Sequence, residues 1–122
     1  YTGLAMEPAS GFGAAPTGGT WQAVYKKIKS PMFMFSGTAD TLVSASWVAQ
    51  AFAALDPSIE AYNWSAVGAT HIPVPAGPTQ EVGVPWFRWK LLGDNEACKA
   101  FKALTSGTKW KSTKEQNAVP CM

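Results

Sequence analysis

The sequence has little with which to ligate a metal: one histidine and two cysteines in 122 residues, with Cys98 and Cys121 far apart. That falls short of the spaced ligand set of a zinc site, so no metal is expected. It also lacks a phosphate-cradling P-loop. Gly11-Phe12-Gly13-Ala14-Ala15-Pro16 starts like a dinucleotide fingerprint, but it misses the third glycine and opens no helix, so it reads as a loop and no cofactor is expected. Pro, Gly or Asn interrupts every apolar run well short of the roughly 20 residues that span a bilayer, so a soluble chain without a membrane span is expected. No basic region followed by an apolar stretch and a cleavage site stands at the start. Tyr1 therefore reads as an internal start, any signal peptide having been removed or belonging to upstream sequence. Charged residues are sparse at 15%, against 47% hydrophobic ones, which excludes a disordered segment and implies one folded unit.

The net charge of +2 is unevenly spread. Lys99, Lys102, Lys109, Lys111 and Lys114 face only Glu115 in the last stretch of the chain. Apart from Trp110 they have no interleaved aromatics on which bases could stack, so residues 105–122 read as a solvated basic tail and no nucleic-acid partner is expected. A tail that binds polyanions is the weaker alternative. Cys98 and Cys121 bracket this tail, and an even count without metal-ligand spacing suits a disulfide formed in an oxidising compartment; two free thiols are the alternative. Asn63-Trp64-Ser65 is a glycosylation sequon, but it falls inside a predicted strand and carries little weight.

Glycines and prolines over the first thirty residues predict a short strand at Leu4 to Met6, a long loop, and a short helix over Trp21 to Ile28. Met32-Phe33-Met34-Phe35 is an apolar run without polar alternation, the pattern of a strand covered on both faces. Val48, Ala51, Phe52 and Leu55 then fall at i, i+3, i+4 and i+7, one buried stripe of a helix that Asp56 and Pro57 end. Ile59 to Trp64 reads as a second strand, closed by the small-residue loop Ser65 to Thr70. Helical spacing returns at Val82, Trp86, Trp89 and Leu92, with Pro85 tolerable only near a first turn. A last helix starts at Asp94 or Asn95, with the apolar positions Ala97, Phe101 and Leu104 on one face. Alternating buried strands and helices predict an α/β fold with parallel pairing. So few strands leave an edge that must pair with something else, which implies that residues 1–104 are one portion of a larger domain.

Asp40 stands just past the first confident strand and His71 just past the second. Both therefore emerge at the same rim of a parallel sheet, where open α/β folds place their sites. Adjacent loops at that rim can bring a carboxylate to an imidazole, which fixes the tautomer and stabilises the imidazolium formed when the ring takes a proton. Taken singly, Asp40 also suits a loop-capping residue and His71 a surface histidine.

Gly37-Thr38-Ala39-Asp40-Thr41-Leu42-Val43 and Gly68-Ala69-Thr70-His71 resemble the acid and histidine loops of the α/β-hydrolase superfamily. They are most similar to its dienelactone-hydrolase-like branch, with the cutinase-like polyester hydrolases and esterases. The resemblance covers most of residues 20 to 122 and extends to a closing helix at Val82 to Leu92 and a C-terminal cysteine pair, Cys98 with Cys121. It implies the C-terminal part of a secreted, extracellular or periplasmic serine ester hydrolase of carboxylesterase, lipase or cutinase-like type. Asp40 and His71 would be the acid and base of a Ser-His-Asp triad. It also implies a serine in a Gly-x-Ser-x-Gly elbow, which this sequence does not contain: Ser10 and Ser36 lack the preceding glycine. Nucleophile and oxyanion hole are thus expected on a missing N-terminal segment or a companion polypeptide, with an ester as substrate. The alternative is a non-catalytic, hydrolase-derived binding or structural subunit. Phe12 and Trp47 are candidates for lining an apolar acyl pocket.

Overall fold

In the computed structural model, which describes residues 3–6, 21–71 and 77–122, the chain begins with β1 (Gly3–Met6) and α1 (Trp21–Lys26). It continues with β2 (Met32–Gly37), α2 (Ala45–Ala53), β3 (Ala61–Ala66), α3 (Gly77–Leu92), α4 (Asn95–Ala103), a short 3-10 turn at Leu104–Ser106, and β4 (Trp110–Gln116). The strands form one mixed sheet in the order β1-β2-β3-β4. β1 to β3 are parallel, as their helical connections require, and β4 joins β3 antiparallel.

The central strands owe their place to a period-two division of bulky residues. Phe33, Phe35, Tyr62, Trp64 and Ala66 point to one face, where they meet Val82 and Trp86 of α3, Phe101 of α4 and Trp110 of β4. Met32, Met34 and Ala61 point to the other, against Val43, Val48, Ala51 and Phe52, with Leu55 and Ile59. Every residue of β2 and β3 is buried, so a sequence run that fails to alternate between apolar and polar is what this sheet needs. The aromatic face is a tight cluster. Phe101 stacks on Trp64 with ring centroids 4.3 Å apart and meets Phe33 edge-on at 5.0 Å, geometries that add about 0.5–1.5 kcal/mol per pair beyond area burial.

Three sequence expectations need correction. The second strand covers Ala61–Ala66 rather than Ile59 to Trp64; the Ile59 amide instead closes a turn onto the Asp56 carbonyl at 3.2 Å. α3 starts at Gly77, so Pro85 stands in mid-helix rather than near a first turn. Most important, residues 105–122 are not a solvated tail. They supply β4, whose ladder runs from Ala66↔Trp110 to Ala61↔Gln116 with a bulge at Asn63/Trp64. At its end, the Gln116 side-chain amide donates to the carbonyls of Asp56 and Ile59 at 2.9 and 3.0 Å. The expected Cys98–Cys121 disulfide is present, Cα to Cα 5.7 Å, and ties the end of the chain to α4. Among the described residues no helix is long and apolar enough to cross a membrane.

Candidate active site

β2 and β3 run side by side in register, Ser36 opposite Ser65 and Gly37 opposite Ala66, so the loops that follow them leave the sheet at one level. Backbone bonds hold these loops together. Thr38 N–H donates to the Ala66 carbonyl and Ala39 N–H to the Ala69 carbonyl, each at 3.0 Å. The approach is close enough to demand glycine, since a β-carbon on Gly37 would lie 2.2 Å from the Ala69 oxygen. Gly68 has φ +73°, the left-handed region that glycine occupies without strain.

On this frame the structure brings Asp40 and His71 together, Nδ1 of the imidazole lying 3.0 Å from Oδ2 of the carboxylate. The other carboxylate oxygen accepts the amides of Leu42 and Val43 at 2.8 and 2.9 Å. Asp40 therefore both closes its own turn and orients the histidine, so the two sequence readings of this residue are parts of one geometry. Its side chain is fully buried, while that of His71 is 36% exposed, so the pair presents a ring to the surface with its orienting group behind it. With the carboxylate ionised and the imidazole neutral, the carboxylate can only accept, so Nδ1 carries the proton and Nε2 the basic lone pair. Chemically, this is a base held in one tautomer beside an anion that stabilises its protonated form.

The other expected site residues fall elsewhere. Trp47, in the first turn of α2, is partly buried against the methionine face of the core, and Phe12 lies outside the described residues. Ser36 and Ser65 are 2% and 6% exposed within their strands, too enclosed to attack a substrate. Ser10 again lies outside the described residues. Two features were not anticipated. Leu42 and Val67, one in each loop, are exposed apolar side chains, at 57% and 55%. A cavity of about 520 Å³ adjoins the histidine loop, walled by Val67, Ala69, Glu81, Lys109 and Trp110. Neither Asp40 nor His71 lines it. Among the described residues no group of three or more His, Cys, Asp or Glu could hold a metal. The sequence matches no protein-family model and no curated protein.

Proposed function

We propose that this chain supplies the acid and the histidine of a serine ester hydrolase of the α/β-hydrolase type, in which another segment or a companion polypeptide contributes the nucleophile and oxyanion hole. The observation that carries this reading is the 3.0 Å contact between His71 Nδ1 and a buried Asp40 carboxylate whose second oxygen is already committed to two backbone amides. The turn itself is closed by the two amide contacts, so the imidazole contact is additional to it. Among the described residues β1 lies at one end of the sheet order, and the edge of a sheet is where further strands can add.

In the proposed reaction, a serine hydroxyl supplied from outside this sequence attacks the acyl carbon as Nε2 of His71 takes its proton, and Asp40 stabilises the resulting imidazolium. The imidazolium returns the proton to the departing alkoxide, leaving an acyl-enzyme and an alcohol. Water then adds to the acyl carbon with His71 again as base, releasing the acid and restoring the serine. The exposed Leu42 and Val67 on the two loops favour a substrate with apolar surface. The disulfide favours an oxidising compartment, hence a secreted or periplasmic protein.

A fluorophosphonate probe applied to the protein with whatever co-purifies tests this reading. Covalent labelling of a serine on a companion polypeptide, identified by intact mass, is expected. A fully assembled complex that takes no label supports the non-catalytic binding subunit instead.

A further inference from the structure

One side-chain hydrogen bond links the two site loops without touching the reacting groups. Gly68 lies past the end of β3 and has φ +73°, outside the extended region. That amide donates to the Thr38 hydroxyl oxygen at 2.7 Å, thirty residues away in the chain. Thr38 stands two residues before Asp40, and Gly68 stands three before His71. The backbone N–H of Thr38 is already engaged with the Ala66 carbonyl at 3.0 Å, so Thr38 holds the end of β3 by its amide and the histidine loop by its hydroxyl.

We propose that Thr38 is a positioning residue: its hydroxyl latches Gly68 so that the segment leading to His71 delivers the ring to Asp40. The latch lies at the surface, with both Thr38 and Gly68 exposed. Water can therefore replace it at small cost to stability, since exposed substitutions usually stay within about 0.5 kcal/mol. Water cannot reproduce its geometry, because a water bonded to Gly68 is not tied to the acid loop. Loss of the hydroxyl thus leaves the fold and the backbone bond from Ala39 to Ala69 intact, and loosens the histidine loop at Gly68. The consequence for catalysis rests on the hydrolase reading above, where small misplacements of a base are costly in rate; the latch itself does not.

The test reads geometry rather than turnover and uses the complete chain, labelled with 15N. His71 is the only histidine, so its ring signals need no assignment by mutation. In the unsubstituted chain, a low-field proton on Nδ1 and a slowly exchanging Gly68 amide are expected. Thr38→Val should abolish or severely broaden the Nδ1 proton signal and speed Gly68 exchange roughly tenfold, with the remaining amide spectrum unchanged. Thr38→Ser, which keeps the acceptor, should restore both. A Thr38→Val protein that retains the Nδ1 signal and Gly68 protection overturns the proposal. So does an unprotected Gly68 amide in the unsubstituted chain, which decides the matter even if a variant fails to fold. Absence of fluorophosphonate labelling alongside an intact latch signature would count against the hydrolase reading alone.

Discussion

At the scale of single residues, the site depends on how little room the two loops leave each other. Gly37 is the tightest point, because the Ala69 carbonyl oxygen occupies the space a β-carbon would need. Gly37→Ala is expected to destabilise the fold by about 1–3 kcal/mol, the range for overpacking, and to push the histidine loop off the acid loop; urea denaturation gives the first effect and the His71 ring signals the second. Asn63 shows the opposite situation. It is 5% exposed on a central strand, and its side-chain oxygen lacks a hydrogen-bond partner, so a glycan on this sequon is incompatible with the folded sheet. Asp40 and His71 were legible in the sequence because each follows a strand-like run at a comparable distance. The Gly37 approach and the Thr38 latch were not, since both depend on the register of β2 against β3 and leave no local pattern.

At the scale of elements, legibility follows hydrophobic period. α2 and α4 were readable from apolar spacing, and Asp94 caps α4 as its position implied, accepting the Ala97 amide at 3.0 Å. β4 was unreadable because an edge strand has only one buried residue, Trp110, and otherwise exposes lysines and small polar residues, the same composition that marks a tail. Lysines on an edge discourage further pairing, so what looked like the mark of a tail suits a protected sheet boundary. The α3 boundary was obscured by Pro85, which suggested a start close by, whereas packing of Val82 and Trp86 into the aromatic core holds the helix through it.

Helix and turn ends also set the acid response. The Asp94 carboxyl is held below its ordinary 3.8 mainly by the Ala97 amide, and by Arg88. Asp56 is held lower still, chiefly by Lys29 and then by Ser58. Because folding depresses both, the unfolded chain binds protons more readily at low pH. Their contribution is therefore complete above about pH 3.8 and is lost as pH falls through the still lower folded values. Melting temperature is expected to drop below pH 4, and Asp94→Asn should flatten part of that drop; an unchanged acid profile in the variant would contradict the role given to this cap.

At the scale of the whole molecule, the last strand and the disulfide make the C-terminal segment part of the sheet. The Cys98–Cys121 bridge closes a loop with a sequence separation of 23 that contains β4. Chain-entropy arithmetic gives such a closure about 3 kcal/mol, so reduction should shift the denaturation midpoint downward by a corresponding amount and raise amide exchange in Trp110–Gln116 first. A midpoint insensitive to reductant would mean that β4 is held by its hydrogen bonds alone. The α/β class and the parallel pairing of the inner strands follow from buried, non-alternating runs separated by helices.

The central claim is that Asp40 and His71 form the acid–base pair of an ester hydrolase, and the most direct measurement is turnover of a p-nitrophenyl ester by the assembled protein and by Asp40→Asn and His71→Ala variants. A loss of several orders of magnitude in each, with the fold retained, is the expected result, as for other triad removals. Turnover equal to that of the unsubstituted protein in both variants would contradict it.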